Sequence, residues 1–147
     1  MYEMGITLFN EPGVEARTVA LPLVEVWAAM TGVFEELEIP AEHYNESLFE
    51  IGNAGYRAKR IEGERMSNYL DCGNSLTGPK ANEYDVTLFI VTRLTPVSSD
   101  STVIETTIDA NARPRATSGG SVHCTSKGEV ERRIAILAQY VVLRERG

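Results

Sequence analysis

The sequence has no long apolar segment and little positive charge, and both shortages exclude whole classes of protein. Its apolar runs, such as LFIV at 88–91 and YVVL at 140–143, are far shorter than the ~20 residues that a membrane-spanning helix needs. The 14 Lys and Arg stand against 21 Asp and Glu, for a net charge of −7, which argues against broad binding to a nucleic-acid backbone. With 147 residues, 43% of them hydrophobic, the chain is predicted to be one soluble, acidic domain.

Residues that could carry out chemistry are also scarce. The two histidines, His43 and His123, and the two cysteines, Cys72 and Cys124, lack the CxxC or HxxxH spacing typical of zinc sites. Adjacent residues point apart in an extended chain, so His123 and Cys124 are not expected to form a nucleophile and base pair. Titratable residues do not cluster on the predicted inward faces. We therefore predict no catalytic residue, no metal and no cofactor.

The charge is unevenly distributed along the chain. Residues 1–50 contain ten Glu and one basic residue, Arg17, whereas residues 51–147 contain thirteen basic and eleven acidic residues. We interpret the acidic half as a solvated helix face, with an electrostatic handle for a basic partner as the alternative. The basic cluster Arg57, Lys59, Arg60 and Arg65 lies beside Tyr56 and Tyr69. It is interpreted as the solvent face of a strand rather than as a strip that binds single-stranded nucleic acid.

Periodic patterns predict two helices and a hairpin. Apolar residues recur at helical spacing from Leu23 to Leu37 and from Val130 to Val141, so each segment forms one apolar stripe. The first stripe places Trp27 in the core and ends before Pro40. The second helix follows Ser126-Lys127-Gly128-Glu129, which has the spacing of a capping box. Residues 84–94 and 102–110 alternate between apolar and polar, which predicts an antiparallel hairpin with one face in water.

Weaker patterns complete the predicted fold. Residues 18–21 are predicted as a short strand, and residues 46–51 and 56–61 as two strands around a tight turn at 52–55. Residues 64–73 are ambiguous between a strand and one helical turn, and the strand is written in parentheses. The order β-α-β-β-(β)-β-β-α predicts an α+β domain, in which an antiparallel sheet carries two helices on one face in a helix-grip-like arrangement.

Residues 17–147 are predicted to form this single domain, and residues 1–16 an extended N-terminal arm. The arm has three large apolar residues, Ile6, Leu8 and Phe9, followed by Pro12 and Gly13. Because exposed apolar side chains on a short arm need a cover, we expect these three to bind a partner or a neighbouring subunit.

The two cysteines bear on the cellular compartment. Both are predicted to lie in loops flanked by polar residues, which favours a disulfide between Cys72 and Cys124 over two unrelated buried thiols. An oxidised pair indicates a compartment outside the reducing cytosol, and a reduced pair indicates the cytoplasm. The first residues lack the pattern of a signal peptide, so Met1 is either a native cytoplasmic start or a start placed after an export signal was removed.

Three stretches resemble known bacterial proteins. TVALPLVEVWAAMTGVFEELEIP, at 18–40, resembles the opening of START-like and BamC-like helix-grip domains. NYLDCGNSLTGP, at 68–79, and VHCTSKGEVERRI, at 122–134, are similar to segments of uncharacterised bacterial envelope proteins, often lipoproteins, with paired cysteines at these two places. The similarity spans roughly residues 17–140, and the chain departs from it in having no lipobox cysteine.

The resemblance implies a non-enzymatic accessory or scaffold subunit of a membrane-associated complex on the periplasmic side. Its partners would be protein subunits; it would lie peripheral to the membrane without a transmembrane helix, and would bind no nucleic acid. The START-like part of the resemblance implies an alternative, a carrier of a small apolar ligand between the sheet and the terminal helix. Because the strands are short, we expect that space to be filled by Trp27, Phe34, Ile90 and Ile134. A cyclase-type enzyme built on the same cavity is a third, less favoured, possibility.

Overall fold

The structure, a computed structural model, describes residues 14–115 and 119–146. Its helices are α1 (Leu23–Glu36), α2 (Lys80–Glu83) and α3 (Glu129–Arg146). Its strands, in chain order, are β1 (Val14–Val19), β2 (His43–Asn45), β3 (Glu50–Ala58), β4 (Arg60–Ile61), β5 (Glu64–Arg65), β6 (Leu70–Asp71), β7 (Asn74–Ser75), β8 (Gly78–Pro79), β9 (Asp85–Ser98), β10 (Ser101–Arg113) and β11 (Val122–Ser126).

Seven strands form one antiparallel sheet. The order is β2-β3-β9-β10-β11-β6, and β1 also pairs with β10. One edge of the long strand β10 holds β1 along residues 102–107 and β11 along residues 110–112. The predicted α+β class with an antiparallel sheet is confirmed. The sheet has strands that were not predicted, β2 and β11, which are only three and five residues long and show little sequence period. Of the segment 64–73, residues 70–71 form β6 and residues 66–68 a short helical turn.

The predicted hairpin is confirmed and is longer than expected. Residues on one face of β9 and β10 are buried: Val86, Leu88, Ile90, Thr92 and Leu94, and Thr102, Ile104, Thr106, Ile108, Ala110 and Ala112. Residues 95–101, predicted as a loop, mostly continue the two strands, which are joined by a tight turn. The hydroxyl groups of Thr92 and Thr106 lie 2.8 Å apart in a hydrogen bond, so these buried polar atoms are satisfied.

The two long helices pack against each other and against the same face of the sheet. Both predicted stripes are buried, apart from the partly exposed Leu23 at the start of α1. α1 ends at Glu36, three residues before the predicted stop at Ile39. Glu38 adopts a left-handed conformation with φ 59, and the Ile39 N–H donates to the Phe34 carbonyl at 3.0 Å. This arrangement is a Schellman closure, which ends the helix by satisfying its last carbonyls.

The predicted turn at 52–55 is wrong, because β3 continues through it, with a shift of register between Asn53 and Tyr56, and pairs with β9. A Cβ on Gly52 would lie 1.9 Å from the carbonyl oxygen of Ile90, so glycine is needed here for the close approach of two strands. The Asn53 side chain donates to the Pro40 carbonyl at 2.7 Å. The actual hairpin joins β2 to β3 through residues 46–49.

The sheet begins inside the segment predicted as an arm. β1 starts at Val14, so residues 14–16 pair with β10 instead of extending away from the domain. The predicted partner-binding residues Ile6, Leu8 and Phe9 lie outside the described residues.

Candidate interaction site

A disulfide joins Cys72 to Cys124, as the sequence predicted, with 4.2 Å between their Cα atoms. Both residues are buried. Cys124 lies in β11 rather than in a loop, and Cys72 comes directly after β6, the strand that pairs with β11. The crosslink therefore attaches the long excursion between β3 and β9 to the edge of the main sheet.

A two-stranded ribbon, β7 and β8, extends from this disulfide. Asn74 pairs with Pro79 and Ser75 with Gly78, leaving Leu76 and Thr77 at the tip. Two hydrogen bonds of 2.9 Å close the base of the ribbon: the Gly73 N–H donates to the Asp71 carboxylate, and the Lys80 N–H donates to the Gly73 carbonyl. The base is thus fixed both covalently and by backbone hydrogen bonds.

Glu83, at the end of α2, holds the tip of the ribbon. Its two carboxylate oxygens accept from the Ser75 hydroxyl at 2.6 Å and from the Thr77 hydroxyl at 2.7 Å. These hydrogen bonds, Ser75 first, lower the pKa of Glu83, because they stabilise its charged form. A Cβ on Gly78, whose φ is 144, would lie 3.3 Å from the Glu83 carboxylate, so glycine at this position lets the carboxylate reach the turn.

Leu76 is fully exposed at this tip, with a relative accessibility of 107%. The side chains on either side of Leu76, those of Ser75 and Thr77, both donate to the Glu83 carboxylate and so support the turn on both sides of the leucine. A large apolar side chain on an exposed, supported turn is suited to insertion into a pocket of another molecule. The sequence patterns predict no contact residue within 73–82, a stretch rich in turn-forming residues; the available signal is one leucine between Asn-Ser and Thr-Gly.

The other sequence-predicted candidates do not come together. Cys124 is bonded to Cys72, so its sulfur is not a thiol nucleophile. His123 Nε2 lies 2.7 Å from the Asp109 carboxylate, but both side chains are mostly exposed on the outer face of the sheet. Within residues 14–115 and 119–146, no three His, Cys, Asp or Glu side chains are grouped so that they could hold a metal ion.

The acidic half of the chain is partly neutralised within the fold. Glu15, Glu25 and Glu36 pair with Arg17, Arg146 and Arg144 at 2.9, 2.6 and 3.5 Å. Glu50 accepts from Arg93 Nε at 2.8 Å and lies 3.2 Å from His43 Nε2. Arg93 and then His43 lower the pKa of Glu50. Because arginines of the same chain pair with these four glutamates, less negative charge is left to attract a basic partner. The alternative of an electrostatic contact through the acidic half is therefore weaker.

No protein family, curated protein or solved structure matches this chain. None of the helices among the described residues combines the length and the apolar character needed to cross a bilayer. The observation on which the functional proposal rests is therefore the geometry of the ribbon that presents Leu76.

One carboxylate outside the ribbon is buried. Glu131 is 3% exposed, accepts from the Ser126 hydroxyl at 2.7 Å through Oε2, and has no partner for Oε1 among the described residues. The predicted capping box is therefore wrong: α3 begins at Glu129, and the Ser126 hydroxyl contacts Glu131 instead. Burial raises the pKa of Glu131, and the nearby charges of Glu15 and Glu129 add to this effect.

Glu131→Gln is expected to stabilise the protein at neutral pH by about 1 kcal/mol, or roughly 2–4 °C in Tm. Because the native state binds the Glu131 proton more tightly than the unfolded state, the wild type loses stability as pH rises through the native pKa. The Tm difference between variant and wild type should thus grow from pH 4.5 to pH 7.5. Thermal unfolding at several pH values measures it, with Glu145→Gln, an exposed position on the same helix, as the control. A difference that shrinks with rising pH would contradict the assignment.

Proposed function

We propose that this chain is a non-enzymatic accessory or scaffold subunit of a bacterial membrane-associated complex on the periplasmic side. The observation that carries the proposal is Leu76, fully exposed on a ribbon held by the Cys72–Cys124 disulfide and by Glu83. Folding of the domain itself gives no reason to place a leucine there, whereas a protein partner with an apolar pocket does.

The compartment is inferred from the disulfide. Such bonds persist mainly in oxidising environments such as the periplasm. The peripheral location, the helix-grip kinship and the contribution of Ile6, Leu8 and Phe9 as a second contact belong to the same proposal, and they rest on the sequence resemblance.

The carrier alternative is less well supported by the geometry. A carrier needs an empty space between the sheet and the helices, and the side chains expected to fill that space are buried in one core cluster: Trp27, Phe34, Ile90 and Ile134. We therefore retain the interaction module as the proposal.

Leu76→Ser is expected to weaken association with the partner at least about thirtyfold, as truncation of a central apolar anchor does. The free energy of unfolding should change by less than about 0.5 kcal/mol, because the side chain is fully exposed. The partner is first identified by placing a photo-crosslinking amino acid at position 76 in cells that make the protein. The affinity of each variant for the purified partner is then measured.

Leu48→Ser is the matched control, since Leu48 is also a surface leucine in a turn and is 51% exposed. Position 76 should yield one discrete crosslinked species that position 48 does not. Equal crosslinking at both positions, or unchanged affinity of Leu76→Ser, would reject the ribbon as the contact.

A further inference from the structure

A cleft of about 240 Å³ is lined in part by α2, and its charged lining residues are all cations. Six of the lining residues are charged or polar: Lys59, Arg60, Arg65, Asn82, Tyr84 and Arg115. They come from four separate parts of the chain, so the tertiary structure brings the charges together. On a protein with a net charge of −7, this local concentration of positive charge needs a physical reason.

In the small ribbon β4–β5, this concentration of positive charge is unfavourable for folding. Arg60 and Arg65 are direct cross-strand partners, and like charges directly opposite each other destabilise a strand pair. Arg60 donates to the Gly63 carbonyl at 2.8 Å, which does not neutralise it. An anion between the two guanidinium groups would turn this repulsion into attraction.

Two of the cations have no partner among the residues that the structure describes. The side chains of Lys59 and Arg65 make no ion pair or hydrogen bond with any residue that the structure describes. The nearby carboxylates are used elsewhere: Glu62 binds Arg133 at 2.9 Å, and Glu64 accepts from Asn68 at 2.9 Å.

One cation of the cleft, Arg115, is paired with a carboxylate of the described residues, that of Asp85. Asp85 binds Arg115 at 3.0 Å and Arg57 at 3.5 Å, so the three groups together keep one positive charge. Asn82 is held in place by two hydrogen bonds of 2.9 Å with Ser67. The cleft therefore combines cations free to bind a ligand with a fixed amide at its wall.

We propose that this cleft binds a phosphate group of a small ligand or of a lipid headgroup. Several cations around a small volume match a group with more than one negative charge better than they match a single carboxylate. Arginine presents its donors in a planar fork that suits phosphate oxygens. The proposal is independent of the Leu76 contact.

Single-stranded nucleic acid fits the cleft less well. Base stacking needs exposed aromatic faces. Tyr69, however, is buried and donates its hydroxyl to the Ile61 carbonyl at 2.8 Å, and Tyr56 directs its hydroxyl to the Glu38 carbonyl at 3.2 Å. Tyr56 and Tyr69 thus serve the fold, and the ring of Tyr84 in the cleft is approached by the Lys80 ammonium at 5.7 Å from its centroid.

Inorganic pyrophosphate is the first probe, measured by calorimetry with the whole chain in its oxidised form. Lys59→Gln and Arg65→Gln should each weaken binding about tenfold, the loss expected for one charge-assisted hydrogen bond. The affinity of Arg65→Lys for pyrophosphate should lie between those of the wild type and Arg65→Gln. Arg132→Gln is the matched control, because it removes the same charge from the exposed face of α3 and should bind like the wild type. Since the Lys59 and Arg65 side chains have no partners among the described residues, Lys59→Gln should keep the wild-type Tm. Arg65→Gln should keep it or raise it slightly, because the variant removes the repulsion with Arg60.

Vesicles distinguish the two sources of the phosphate. Phosphatidylcholine vesicles with and without phosphatidic acid are sedimented with the protein. Retention by phosphatidic acid that pyrophosphate reverses indicates a lipid headgroup, and pyrophosphate binding without retention indicates a soluble ligand; both outcomes support the cleft. The proposal is overturned if neither probe binds, if Lys59→Gln and Arg65→Gln bind like the wild type, or if an oligothymidine binds far more tightly than pyrophosphate.

Discussion

Replacement of Cys72 and Cys124 by alanine is expected to lower the free energy of unfolding by about 4 kcal/mol, according to the chain-entropy account of a crosslink of this loop length. The two residues are 52 positions apart in sequence, so the bond removes many conformations from the unfolded chain. Alanine is preferred to serine because both positions are buried, and a hydroxyl there would need a new hydrogen-bond partner.

Urea unfolding of the oxidised protein, the reduced protein and the double variant measures this effect. The reduced protein and the variant should lose similar stability, and the mass of the intact protein should rise by about 2 Da on reduction of one bond. Amide hydrogen exchange in residues 70–79 should be faster in the reduced protein and in the variant than in the oxidised protein, because the disulfide anchors the ribbon. Two freely alkylated thiols in protein isolated without reductant would contradict the bond and remove the main support for a periplasmic location.

Trp27→Ala is expected to cost about 3–5 kcal/mol, the usual loss when a large buried aromatic side chain is truncated. Trp27 is 9% exposed, and its ring centroid lies 5.0 Å from that of Tyr44 and 5.6 Å from that of Phe49. Its Nε1 has no hydrogen-bond partner among the described residues. Trp27→Phe should therefore cost much less, because it keeps an aromatic ring and removes an unsatisfied donor.

Chemical denaturation of these variants also tests the carrier alternative. Val24→Ala is the control, because Val24 is on the same helix but 75% exposed; it should change stability by less than about 0.5 kcal/mol. An apolar fluorescent probe is titrated into each variant. A Trp27→Ala protein with unchanged stability and lost binding of the probe would favour a carrier over an interaction module.

The helical turn α2 connects the two proposed surfaces. Glu83 holds the ribbon that presents Leu76, whereas Asn82 lines the cationic cleft. The two sites are nevertheless separable, because Leu76→Ser leaves every cation of the cleft in place and Lys59→Gln leaves the ribbon contacts in place. Failure of one experiment therefore does not decide the other.

The sequence alone determined the elements whose signal is local. α1, α3 and the β9–β10 hairpin were predictable, because long apolar periods report which face of a helix or strand is buried. It also indicated the cysteine pair, since the residues around both cysteines are those of loops and strand ends rather than of apolar stripes.

Only the tertiary structure decided the features that depend on distant parts of the chain. The local sequence predicts a turn at Gly52, but the backbone of Ile90 in another strand lies close to it. The local sequence also predicts Ser126 as a helix cap, but its hydroxyl donates to the Glu131 carboxylate. The exposure of Leu76 follows from contacts with Glu83. The cleft joins Arg65 to Arg115 across fifty positions of sequence. In each case the feature depends on contacts between residues that are close in space, and the order of residues in the sequence does not show which residues those are.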